Sequence, residues 1–246
     1  ERDPKRDGPK RPLGWARLDA INAEIQRRQD SGEFVEVASR NAAAPHKSWT
    51  TQEMLDLESS NLKQMQDGQH RYHTLAREET IRSIGERELD SHLSTKQRDA
   101  VFEILRSPDQ ITGLQGSAGS GKTTSLSVIR LAAEQDGYDI RGLAPTTRAA
   151  SHLENAGIPS TTLQHLLAER NQSRSAPHFF VLDESSLAST KQMHEFLNRL
   201  DTQDRVLVVG DVQQHQGIEA GRPFQQMQEA GMRTAHLDEI VRQQDP

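Results

Sequence analysis

Cysteine is absent from the 246 residues. That excludes disulfide bridges and thiolate metal sites, and it is the usage expected of a cytoplasmic protein. Aromatic side chains make up only 4% of the chain, so stacking platforms for nucleic-acid bases are scarce. No run of about eighteen apolar residues occurs, so no membrane span is expected. The opening Glu1-Arg2-Asp3-Pro4-Lys5 has no apolar stretch behind it, which excludes a signal peptide there. Excess positive charge is missing as well. The net charge is −6, which disfavours a uniformly basic nucleic-acid binder and leaves room for a local groove. The chain opens without a methionine, and a piece of something longer is expected. Its length accommodates one large domain, or one domain and a small appendage.

What is present centres on Gly116-Ser117-Ala118-Gly119-Ser120-Gly121-Lys122-Thr123-Thr124. Gly116 to Thr123 fits G-x-x-x-x-G-K-[ST] without a mismatch. Ile111 to Gln115 before it reads as a short buried strand, and Val128, Ile129, Leu131 and Ala132 after it recur at helical spacing. Glycines let backbone N–H groups curl around phosphate oxygens, with the positive end of the following helix pointed at them. Lys122 can reach the β- and γ-phosphates, and Thr123 can ligand Mg²⁺. The stretch predicts a nucleoside triphosphate site.

Residues 1–12 mix basic, acidic and proline residues and read as a solvated linker, so phosphate contacts from Lys5, Arg6, Lys10 and Arg11 are the weaker reading. Trp15, Leu18, Ile21 and Ile25 mark one face of a helix ending near Asp30-Ser31-Gly32, and Phe34 to Val37 suits a short strand. Thr50 with Glu53 offers a capping box for a helix to about Gly68, with Met54, Leu55, Leu62 and Met65 inward. Gln69 to Asp90 is charged and mostly helical in propensity. His70 and His73 sit three apart with His92 further on, but no further ligands complete a zinc site, so they read as surface histidines. Residues 1–92 are expected to be a linker and a small helical accessory region.

From Leu93 the pattern tightens. A capped helix begins at Leu93-Ser94-Thr95 and turns Ala100, Val101, Ile104 and Leu105 inward. Further strands are expected at Ile140 to Ala144, His178 to Leu182 and Val206 to Val209, with helices between them, including Thr162 to Glu169 and Lys191 to Leu200. Strands alternating with helices predict an α/β fold with a parallel sheet flanked by helices on both faces. Ligands of such sheets gather beyond the carboxyl ends of the strands. The glycine-rich loop, Thr146-Thr147-Arg148, Asp183-Glu184 and Gly210 to Gln214 each follow a strand and are expected on one rim.

Asp183 closes an apolar strand, from where a carboxylate can hold Mg²⁺. Glu184 can orient and deprotonate the attacking water. The competing reading is an acidic helix cap. Gln214 would reach the γ-phosphate and report hydrolysis towards a nucleic-acid partner.

Gln97, the loop at Gly116–Thr124, Ala144-Pro145-Thr146-Thr147-Arg148, Val181-Leu182-Asp183-Glu184-Ser185-Ser186, Gly210-Asp211 with Gln214, and Ile240-Val241-Arg242-Gln243 stand in the order of superfamily-1 helicase motifs. The chain resembles the RecD-like motors, and among them most the helicase part of conjugative relaxases of the TrwC/TraI type. The resemblance covers about Leu93 to Pro246 and implies a first RecA-like ATPase lobe over 93–246. It implies that ATP is the nucleotide and that Gln97 recognises adenine. Pro145, Thr146, Thr147 and Arg148 would lie along single-stranded DNA, and Thr161 to His165 would be the next DNA-facing motif. Arg242 would act as an arginine finger. The pattern departs from the family at His215, where an apolar residue is usual. A second RecA-like lobe and a relaxase domain would belong to the parent chain, with the conjugation machinery as a further partner. Movement along DNA would run 5′ to 3′. Two other classes fit part of the pattern: a non-hydrolysing single-stranded DNA-binding module and a small-molecule P-loop kinase. The kinase has no need of Thr146-Thr147-Arg148 or of Gly210 to Gln214.

Overall fold

A computed structural model describes residues 18–37, 48–85, 93–117, 119–169, 175–212 and 221–237. By contact the chain parts into two compact units, Glu1–Leu55 and Asp56–Pro246. In the first, helix α1 (Leu18–Asp30) precedes an antiparallel hairpin of β1 (Phe34–Val37) and β2 (Ser48–Thr51). The hairpin corrects the expected helix cap. Thr50 pairs with Val35 in the ladder, and the Thr51 hydroxyl accepts the Met54 N–H at 3.2 Å instead. Helix α2 (Gln52–Asp67) then runs across the boundary between the units. Trp15 lies outside the described residues, as does His92.

The second unit is a six-stranded sheet with every pair parallel, in the order β5-β4-β6-β7-β3-β8. Its strands are β3 (Ile111–Gly116), β4 (Asp139–Ala144), β5 (Ser160–Thr162), β6 (His178–Leu182), β7 (Arg205–Gly210) and β8 (Thr234–Leu237). β6 and β7 are buried along their whole length, which is why they read as unbroken apolar runs. Strand alternation divides them between two cores. Phe179, Val181, Leu207 and Val209 face α3 (Glu78–Ile84), α4 (Thr95–Leu105) and α5 (Lys122–Gln135). Phe180, Leu182, Val206 and Val208 face α7 (Leu163–Ala168), α8 (Thr190–Leu197) and α9 (Pro223–Glu229). Between α5 and α7 comes α6 (Thr147–Glu154). This is the expected α/β architecture, a parallel sheet with helices on both faces.

The parting at Leu55 and Asp56 lies ahead of the boundary drawn at Leu93 from composition. Met65 of α2 is fully buried in the second core, and Ile81 and Ile84 of α3 in the first. Between those helices, Gln69 to Ala76 is irregular rather than helical, because backbone bonds tie this stretch to the end of α4 and the connection from α4 to β3. The Gln110 N–H donates to Gly68 O at 2.9 Å, the Tyr72 N–H to Pro108 O at 3.0 Å and the Ala76 N–H to Leu105 O at 3.0 Å. Arg205, at the start of β7, fastens this strap from below. Its guanidinium donates to His73 O at 2.8 Å and Ser107 O at 2.7 Å, and lies 5.1 Å from the Tyr72 ring centre. His70 and His73 are exposed strap residues, and no metal-binding group of His, Asp or Glu occurs among the described residues.

Candidate nucleotide site

β3 delivers the chain to the glycine-rich loop, and α5 leaves it with Lys122 and Thr123 in the first turn. Gly119 and Gly121 hold φ of +79° and +81°, values at which a side chain is strained. At Gly121 a Cβ would also stand 1.8 Å from the Gln97 amide nitrogen. Glycine is required there for both reasons. The Ser120 hydroxyl donates back to Ser117 O at 2.9 Å, and Lys122 Nζ donates to Gly116 O at 2.7 Å and Ser117 O at 3.0 Å. Thr123 and Thr124 are exposed at the helix start, and Ala118 lies outside the described residues.

Gln97 is buried against this loop. Its Oε1 accepts the Ser94 N–H at 2.8 Å within the capping box of α4, and its Nε2 donates to Ser120 O at 3.2 Å. Both ends of the amide serve the loop and the helix cap. The Ser94-to-Gln97 spacing signalled the cap; nothing in the sequence signalled the bond to Ser120.

Asp183 follows β6, its N–H bonded to Leu143 O at 2.8 Å. Burial pushes its carboxyl above the ordinary value, against the Glu184 N–H and the charges of Lys122 and His152, which pull it down. Glu184 has φ +48° and ψ +35°, and its N–H donates to Asp183 Oδ1 at 2.8 Å. Left-handed backbone costs a non-glycine residue about 1–2 kcal/mol and clusters at functional sites. A hydroxyl at Thr123 and a carboxylate at Asp183 are hard oxygen donors of the kind Mg²⁺ takes. An acid raised on folding favours the folded state below its ordinary range, and that contribution is lost as pH rises through the raised value. Ionised Asp183 is therefore a stability cost at neutral pH that a divalent cation bound there would offset. Asp183→Asn is expected to raise the Tm at neutral pH without Mg²⁺ and to abolish any gain on adding Mg²⁺ and nucleotide. Thermal melts with and without the pair check both halves.

β7 lies between the loop strand and the acidic strand, so Asp211 at its end stands between their clusters. On the other side of β6, β4 ends in Pro145 and the exposed Thr146, Thr147 and Arg148. The Thr146 hydroxyl caps α6 by accepting the Ala149 N–H at 3.2 Å, and Thr162 caps α7 by accepting the His165 N–H at 3.1 Å. β4 and β5 are neighbours, so the two helix starts lie side by side on the rim. His165 is exposed, with Nε2 3.1 Å from Glu169. The loop, Asp183-Glu184, Thr146 to Arg148 and Asp211 therefore share one rim. Gln214, His215 and Arg242 lie outside the described residues.

A glycine-rich G-x-x-x-x-G-K-T loop and a half-buried carboxylate at the carboxyl end of one parallel sheet define a P-loop nucleotide-binding lobe. The model of the AAA domain family matches residues 92–246, and the chain belongs to that family. It is 33% identical over 187 residues to the multifunctional conjugation protein TraI of Escherichia coli K12, covering 70% of this chain and 11% of TraI. To the probable conjugal transfer protein TraA of Sinorhizobium fredii it is 37% identical over 160 residues, or 63% of this chain and 14% of TraA. The ATP-dependent RecD2 DNA helicase of Deinococcus radiodurans is 31% identical over 148 residues, 55% of this chain and 21% of the helicase. The resemblance to RecD-like helicases and to conjugation proteins is thus shown, and the chain spans a small part of their length. Among solved structures, the Pif1 helicase of Candida albicans superposes with a TM-score of 0.46 at 20% identity, over 62% of this chain and 41% of that one.

Proposed function

We propose that this lobe binds and hydrolyses ATP with Mg²⁺ as part of a motor that moves along single-stranded DNA, within a relaxase-helicase that processes plasmid DNA for transfer in the cytoplasm. The observation that carries the reading is the shared rim. A kinase-like P-loop protein needs the loop and Asp183, but it does not need two threonine-capped helix starts beside them. The exposed Thr146, Thr147 and Arg148 suit a line of phosphates.

Roles divide by chemistry. Lys122 would stabilise charge on the β- and γ-phosphates, and Thr123 and Asp183 would hold Mg²⁺, which when bound would supply charge neutralisation. Glu184 directs and deprotonates water. Gln97 reads adenine only by exchanging one of its protein bonds for the base. Gln214 and Arg242 complete the set as γ-phosphate contacts. A second RecA-like lobe closes the cleft, and a relaxase domain and the conjugation machinery are the further partners.

The test is ATP hydrolysis by the full-length protein with and without single-stranded DNA. Turnover is expected to rise with DNA and to fall by about 10²–10³-fold in Lys122→Ala. DNA binding without turnover, indifferent to Lys122→Ala, would leave a DNA clamp in place of a motor.

A further inference from the structure

We propose that Ser186, with Ser185 beside it, is a positioning residue that holds Glu184 in its left-handed conformation and ties it to the strand end leading into Gln214. The proposal rests on reading Glu184 as the water-directing base. Glu184 and His70 are the two non-glycine residues with positive φ among those described. Such a conformation persists where the surroundings over-determine it. The two residues after Glu184 are both fastened through their hydroxyls to the end of β7.

Immediately after Glu184 the chain makes one short 3₁₀ turn, Ser185–Leu187, closed by the Leu187 N–H on Glu184 O at 2.9 Å. The Ala188 N–H bonds to Ser185 O at 3.1 Å. Fully buried Ser185 donates its hydroxyl to Val209 O at 2.7 Å. The approach is possible because position 210 is glycine: a Cβ there would lie 2.8 Å from Ser185 Oγ. Ser186 makes a two-sided fastening. Its hydroxyl donates to Asp211 O at 3.0 Å and accepts the Asp211 N–H at 3.2 Å, so one oxygen serves both backbone groups of one residue.

Asp211 is in turn tied to the nucleotide strand. Gln115, one residue before the glycine-rich loop, donates to Asp211 Oδ1 at 3.3 Å, and Gln228 of α9 donates to Gln115 Oε1 at 3.4 Å. A continuous set of hydrogen bonds thus crosses the rim from the Glu184 turn through the end of β7 to the end of β3. Alanine at 186 removes the donor and acceptor at once, whereas threonine keeps the hydroxyl.

The experiment compares Ser186→Ala and Ser186→Thr in the full-length protein. Ser186→Ala is expected to lower the kcat of DNA-stimulated ATP hydrolysis about tenfold or more while the KM for ATP stays within about twofold, the pattern of an interaction made in the transition state. Ser186→Thr should recover most of the loss. Hydrogen exchange at the Leu187 and Ala188 amides should quicken in Ser186→Ala and stay slow in Ser186→Thr. Wild-type kcat in Ser186→Ala overturns the proposal, and so does unchanged exchange at those two amides. An unmodified protein without ATP turnover defeats the ATPase reading instead, and exchange then decides the serine clasp alone.

Discussion

Glu184→Gln is expected to keep nucleotide binding and to lose about 10²–10⁴-fold in ATP turnover, the range that a positioned general base supplies. Glutamine has the shape of glutamate and leaves the N–H bond to Asp183 in place. The Ser185 and Ser186 fastenings are also untouched, because they begin beyond the side chain. Only the proton acceptor is lost. Binding of a fluorescent ATP analogue, set beside steady-state phosphate release, separates the two quantities. Lys122→Ala provides the contrast, since it removes the charge that meets the phosphates and should weaken binding as well. Near-normal turnover in Glu184→Gln would move the base to another residue of the rim.

Arg205→Met is expected to destabilise the protein by about 3 kcal/mol, because the buried Ser107 O and the part-buried His73 O lose their donor, at about 1–3 kcal/mol for a buried group. For a unit of this size that is a fall in Tm of roughly 6–12 °C. His73 O and Ser107 O would be the stranded acceptors, and the stacking on Tyr72 would go with them. Burial already works against the Arg205 charge, lowering its pKa from the ordinary value, with Tyr138, Tyr72 and Asp109 opposing. The guanidinium is tolerated because its geometry serves two carbonyls at once, so Arg205→Lys should recover only part of the loss. Calorimetry measures the fall. Nucleotide affinity well below the transition should not change, since Arg205 stands at the amino-terminal end of β7 and the rim at the other.

Both positions show what the sequence made legible. β6 and β7 declare themselves as apolar runs because they are buried along their whole length, whereas β4 carries the exposed Asp139 and Arg141; the described parts of the clusters that follow the strands lie on one rim. The edge strands were missed. Ser160-Thr161-Thr162 has no apolar run, and Thr234 to Leu237 alternates over only four residues. The strand at 160–162 also takes the first residue of the expected helix, which starts at Leu163. Gln69 to Ala76 misled for a different reason: the stretch reads as mostly helical in propensity, but tertiary bonds to the end of α4 and the α4–β3 connection outweigh a propensity of a few tenths of a kcal/mol per residue. In the site, G-x-x-x-x-G-K-T and Asp183-Glu184 were readable because the chemistry dictates residue type. The left-handed backbone of Glu184, the two-sided bond of Ser186 and the engagement of Gln97 by Ser120 depend on contacts between segments far apart in sequence.

The order of the sheet bears on how this chain meets other chains. An exposed strand edge is a template for further strands, and long flat edges invite aggregation. Here the edge positions of the described sheet fall to β5, of 3 residues, and β8, of 4. Neither offers a ladder long enough to recruit a neighbour by its backbone, while the long apolar strands are shielded in the middle. A partner meeting the described sheet would therefore meet side chains on the rim and on the helical faces before a long backbone ladder.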